Sequence, residues 1–208
     1  MEQIPVISVN MAGLESNPGF KITLPLVKSG MMGIIYGDMF MRVLYATRPY
    51  EQVKGSADAL YEKWAAIADE NIRNGSFRQF KKNLKGIVRD FDALPLRDIK
   101  KPKVGVVGEI LVKYHPTANN DIVSVIEGEG GEAVVLDLLD FFLYGMYSKK
   151  FNYEHLSGSW KQMKGNQIAI DILELIRKPY RKALRESRRF EEPLHIEEIA
   201  EEAFKLIS

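Results

Sequence analysis

The sequence predicts an α/β protein, a small parallel sheet surrounded by many helices. Two runs of β-branched residues, at 103–107 and 132–136, flank a segment with helical spacing. Together they make a β-loop-α-β unit of about 35 residues, the size of a parallel crossover. Most other long segments carry apolar residues at the i, i+3, i+4, i+7 spacing of a half-buried helix.

Residues 4–9 (Ile-Pro-Val-Ile-Ser-Val) read as a buried strand, with Gly13 to Gly19 as its loop and Pro18-Gly19 as a turn. A helix is expected over 24–45. Gly30, Gly33 and Gly37 weaken it by roughly 1 kcal/mol each relative to alanine and permit close packing or a bend. Arg48-Pro49-Tyr50 ends it. Ser56 is the expected N-cap of a second helix reaching Asn74-Gly75, with Ala59, Leu60, Trp64, Ile67 and Ala68 on one face. A third helix spans 77–91, its apolar face made by Phe80, Leu84, Ile87, Val88 and Phe91. Lys81, Lys82, Lys85 and Arg89 decorate its other side. The polar, proline-bounded stretch 95–102 is a connector.

Val104, Val106 and Val107 then read as a buried strand ended by Gly108. A helix is expected over 118–128, broken by Gly130-Gly131, followed by a strand over 132–136 and a short helix over 137–147. The remainder is helical. One helix spans 160–189 and is expected to kink or split at Pro179. Another follows Pro193 over 196–207. The chain reads as a single domain with a helical extension from about residue 150.

Composition narrows the function. The 208 residues carry 29 Lys and Arg against 28 Asp and Glu, a net charge of +1, which points away from a nucleic-acid partner. There is no cysteine, so disulfides, thiolate zinc sites and cysteine-bound iron–sulfur clusters are excluded within the chain. His115, His155 and His195 are far apart in sequence and make no metal-binding pair. The first residues lack the basic start and apolar run of a signal peptide, and no apolar run is long enough to cross a bilayer. A cytoplasmic location is expected.

Several stretches resemble one family. They are Gly13-Leu-Glu-Ser-Asn-Pro-Gly-Phe20, Gly33-Ile-Ile-Tyr-Gly-Asp-Met-Phe-Met-Arg42, and Lys103-Val-Gly-Val-Val-Gly-Glu-Ile-Leu-Val-Lys-Tyr-His-Pro-Thr-Ala-Asn-Asn120, continuing into residues 132–144. They are similar to the C-terminal region of acyl-CoA dehydratase activase-related proteins, a relative of the 2-hydroxyacyl-CoA dehydratase subunits. The resemblance covers roughly residues 4–184. It implies Rossmann-like α/β lobes, acyl-CoA as ligand, and the remainder of a larger dehydratase or activase protein as partner. Dehydratase subunits hold a [4Fe–4S] cluster on cysteines. With none here, such a cluster is expected only from other chains or segments.

The leading candidate site is the loop after the strand at 103–107. Ligands of open α/β sheets bind beyond the carboxyl ends of the strands. Gly108 would let a ligand approach the backbone, and Asn119 and Asn120 lie near the next helix start, where N–H groups receive anions. The glycine spacing matches neither the dinucleotide fingerprint nor a Walker A loop. Glu109 and His115 would form an acid–base pair if the loop folds back; a hydrogen-bonded loop histidine is the plainer reading.

Tyr36, Asp38 and Arg42 interrupt an apolar helix. Asp38 and Arg42, at i and i+4, are expected to pair, or to line a cleft together with Asn17, Pro18 and Gly19. The basic run from Lys178 to Arg189 reads as a solvated helix face offset by glutamates of the last helix, or as a seat for CoA phosphates. Three functions follow. The first is a dehydratase/activase-type module that binds acyl-CoA or a subunit. The others are a stand-alone small-molecule enzyme and a structural docking domain.

Overall fold

The computed structural model describes residues 23–207. The strand and loop expected over 4–19, including Asn17, lie outside the described residues. The rest is mostly helical, around a two-stranded parallel sheet, which is α/β at a coarse level.

Helix α1 (Leu24–Tyr45) is the centre of the molecule. Thr23 caps it by accepting from the Leu26 N–H, and a proline sits in its first turn. Met32, Ile35, Met39 and Val43 form a stripe at helical spacing and are almost wholly buried. Each such side chain contributes about 1.5–3 kcal/mol when removed from water. α1 packs against α2 (Ser56–Asn74), α3 (Phe77–Asp92), α6 (Leu138–His155), α7 (Trp160–Arg185) and strand β2 (Glu132–Val135). A short 3₁₀ turn over Arg48–Tyr50 follows α1.

α2 starts at Ser56, but Ser56 does not cap it. Gly55 holds the cap position, and the Glu51 carboxylate reaches over to accept from the Gly55 and Ala57 N–H groups at 2.6 and 2.9 Å. A two-oxygen acceptor from the preceding turn satisfies two orphan amides at once, which a serine cannot do. α3 matches its expected span and is capped by Ser76. At Gly86 the tip of the Trp64 ring lies so close that a Cβ would sit 2.4 Å from it, so glycine sets the α2–α3 spacing.

The sheet pairs β1 (Lys103–Val106) with β2 (Glu132–Val135) in register Lys103↔Glu132 to Val106↔Val135. The crossover differs from expectation. An unforeseen helix, α4 (Ile110–Tyr114), follows Gly108, and α5 (Ile122–Gly128) is shorter than 118–128. Glu109 explains α4: its carboxylate accepts from the Leu111 and Val112 N–H groups at 3.0 and 2.8 Å, so the Ile-Leu-Val run winds instead of extending. β1 was expected to be buried. Only Val106 is, and Val107 lies outside the strand at 81% exposure, because among the described residues a single strand pairs with β1.

α6 runs on to His155, well beyond 147. α7 is one helix that passes through Pro179. Proline removes the bond to the carbonyl of Leu175. Leu175 is on the exposed side of the helix, so that carbonyl is open to solvent. α8 (Ile196–Ile207) matches its expected span. The basic end of α7 pairs with Glu192 and Glu174, through Arg181 and Arg185, while Glu197 of α8 pairs with Lys150.

Candidate functional site

Two adjoining features lie where β2 ends. One is a buried charge network, the other an open cleft.

The network gathers around the first turn of α6. β2 delivers Leu136 and Asp137 to the start of that helix, whose N–H groups attract negative charge. Asp38 of α1 supplies it, accepting from the Leu138 and Leu139 N–H groups at 2.7 and 3.1 Å. The Asp38–Arg42 pair expected from i, i+4 spacing does not form. Arg42 turns instead to Asp137, at 2.7 Å, and donates from Nε to the Tyr180 hydroxyl at 2.9 Å. Tyr180 in turn donates to Asp137 at 2.8 Å. Arg177, one turn earlier on α7 and wholly buried, donates to Asp140 at 2.6 Å and stands 3.6 Å from Asp137. An aspartate on α1 caps α6, an arginine on α1 reaches the residue before α6, and α7 closes the ring.

Asp137 and Asp140 thus meet two guanidinium groups, while Asp38 is met by backbone amides alone. Burial, and then the Asp137 charge, push Asp38 up to about 8 against the pull of its two amide donors. Burial also raises Asp140, although Arg177 opposes it. Burial alone would lower Arg42, but Tyr180 and Asp137 more than compensate and raise it. The network holds α1, α6 and α7 together, although the buried Nε and Nη2 of Arg177 have no hydrogen-bond partner, Nη2 standing 3.6 Å from Asp137.

The cleft, about 350 Å³, opens between α1, Tyr61 of α2 and the β1–β2 crossover. Phe40, Leu44, Tyr45 and Tyr61 give it an apolar side; Lys113, Asn119 and Ser124 give it a polar one. Its volume is at the small end of the range for small-molecule sites. Tyr114 joins it to the network, lining the cleft while its hydroxyl donates to the Asp137 carbonyl at 3.0 Å. Arg48 also lines the cleft but is committed to Glu127, at 2.7 and 3.0 Å, and to Asp58 at 3.0 Å. Lys113 forms no ion pair among the described residues. Burial lowers its pKa below the ordinary lysine value, with Asp140, Asp137 and Asp38 opposing from further off. On the rim, Asn120 and Asp121 are consecutive left-handed residues, with φ of 55° and 53°. Such backbone strain clusters at binding sites.

The residues expected at a site are dispersed. Asn119 lines the cleft, and its side chain also accepts from the Ile122 N–H at the start of α5. Asn120 sits beside it without lining it. Gly108, with φ of +148°, makes the turn into α4 and lies away from the cleft. Glu109 is spent on capping α4. His115 lies at the far end of that helix, exposed, and no hydrogen bond joins the two side chains. Tyr36 belongs to the core, donating to Asn71 and accepting from Asn83 at 2.8 and 2.9 Å.

Asp38 and Arg42 meet the same segment, Asp38 at the Leu138 and Leu139 N–H groups and Arg42 at Asp137. Lys113, Tyr114, Asp137, Asp140, Arg177 and Tyr180 were not singled out by sequence. One signal was available: Arg177 falls on the same stripe of α7 as Ile170, Leu173, Tyr180 and Leu184, so a charge sat on an apolar face. Among the described residues, no group of three or more His, Cys, Asp or Glu side chains is placed to hold a metal ion. No helix there is long and apolar enough to cross a membrane.

Compared with protein-family models, with curated proteins and with solved structures, the chain matches none.

Proposed function

We propose that this chain is a Rossmann-like lobe of a 2-hydroxyacyl-CoA dehydratase/activase-type system, seating the acyl end of a CoA thioester without an iron–sulfur cluster of its own. The observation that carries the reading is the cleft beside the carboxyl end of β2, where Lys113 and Asn119 face aromatic and aliphatic side chains. A short acyl group would fill the apolar side, and the thioester or pantetheine amides would meet Asn119, Ser124 and Lys113. At about 350 Å³ the cleft takes the acyl end and leaves the nucleotide outside. The chain contains no cysteine, so any cluster in such a system sits on another chain or segment.

A second reading, docking within a larger assembly, is favoured by the exposed apolar side chains around the sheet. Val107, Leu111 and Leu136 are 81%, 56% and 54% exposed. Apolar surface gathered in this way marks contact sites. A thermal-shift titration with butyryl-CoA, free CoA, ATP and NAD separates the readings. Ligand at a hundredfold excess over Kd stabilises the fold by about 2.7 kcal/mol. A shift with butyryl-CoA that exceeds those with free CoA, ATP and NAD supports the acyl-CoA reading. Silence across the panel removes it and leaves docking.

A further inference from the structure

We propose that the groove between α3 and α7 docks an acidic amphipathic helix of a partner protein. The inference is independent of the proposed thioester cleft, which shares no lining residue with this groove.

α7 carries two apolar stripes. One enters the core through Ile170, Leu173, Tyr180 and Leu184. The other faces outward: Ile168, Ile172, Leu175 and Pro179 recur at steps of four, three and four, which places them on one side of the helix. Ile168, Ile172 and Leu175 are 59%, 52% and 68% exposed. A helix satisfied by one partner face does not need the second stripe.

The stripe leads into a groove of about 480 Å³, where Leu175, Ile176 and Pro179 meet Phe77 of α3. Its rim is lysine throughout. Lys178 and Lys182 stand on the α7 side, and Lys81 and Lys85 on the α3 side. Lys85 is tied to Glu186 at 2.9 Å, bridging the two helices. Lys81 lies over the Phe77 ring, 4.9 Å from its centroid. Lys81, Lys178 and Lys182 form no ion pair among the described residues. Further along the stripe Lys164 adds a fifth cation, and Asp171, which accepts from Gln167, is the carboxylate beside it.

A chain of net charge +1 thus places five of its eighteen lysines around one apolar floor. The complement is a helix with leucine-like residues at i, i+4 and i+7, flanked by Asp and Glu: a helix-in-groove contact whose apolar anchors give affinity and whose charges give orientation and speed.

The test uses the full chain and a labelled synthetic helical peptide with leucines at i, i+4 and i+7 and Asp/Glu flanks. A Lys-flanked peptide and phosphatidylserine vesicles are the comparisons. Fluorescence anisotropy should show saturable binding of the acidic peptide that weakens with salt. Lys178→Glu/Lys182→Glu and, separately, Leu175→Gln should each weaken it about tenfold or more. All three positions are exposed, so the variants retain the fold, which circular dichroism checks. Equal binding of both peptides, binding of neither, or binding of the vesicles without the acidic peptide would overturn the proposal.

Discussion

Arg177→Met tests whether the ring of charges at the start of α6 holds the three helices as described. Arg177 is 0% exposed and lies between Asp140, Asp137 and Glu174. Methionine keeps much of the stem's packing and removes the charge. Asp137 retains Arg42 and Tyr180, but Asp140 loses its guanidinium at 2.6 Å. Removing one partner of a buried pair costs about 3–5 kcal/mol, because a charge is left in a poor solvent.

The cost should depend on pH. Burial already raises Asp140 with Arg177 present, and without that cation the rise is larger. A group whose folded pKa is raised contributes stability that is full below its unfolded pKa, near 4, and is lost as pH rises through the folded value. Protonation therefore relieves the variant at low pH, and its deficit grows from pH 5 to pH 8. Urea unfolding followed by circular dichroism at both values supplies the midpoints and slopes. Arg185→Met is the control, since Arg185 is 69% exposed on Glu192 and its loss should leave the midpoint unchanged. A deficit for Arg177→Met under about 1 kcal/mol, or one equal at both pH values, would show that the buried charges do not hold the three helices in this way.

Other variants probe neighbouring claims. Asp38, held near 8, makes stability fall as pH rises from about 4 to 8; Asp38→Asn should flatten that slope in urea midpoints against pH. Gly86→Ala gains up to about 1 kcal/mol of helix propensity but forces Trp64 aside, at an overpacking cost of about 1–3 kcal/mol. The net result should be lower stability with a shifted tryptophan emission. Tyr36→Phe leaves the amides of Asn71 and Asn83 without their hydroxyl and should cost about 1–3 kcal/mol in the same unfolding assay. An unchanged midpoint would count against the buried Tyr36 network.

Helices were legible where one periodic face meets one core. α1 and α3 fall where the apolar spacing puts them, because their buried stripes are continuous and Thr23 and Ser76 cap their starts, and α8 falls where expected after Pro193. The crossover was less legible. The Ile110-Leu111-Val112 run has strand composition, and a single glutamate cap turns it into a helix. The charge network was half legible. Asp38 and Arg42 stood out as polar residues in an apolar helix, but their partners lie about a hundred residues away, at Leu138, Leu139 and Asp137. Local spacing rules offered only each other. The cleft was legible through Asn119 alone, since Lys113 and Tyr114 acquire their places from the turn of α4.

The most direct test of the cleft as a ligand seat is titration calorimetry of butyryl-CoA into the chain and into Ser124→Trp. Ser124 is exposed and lines the cleft, so tryptophan fills the space without entering the core. The parent chain should give saturable heat and Ser124→Trp should lose it, with the unfolding midpoint unchanged. No heat from the parent chain, or equal affinity in both proteins, would contradict a ligand seat in this cleft.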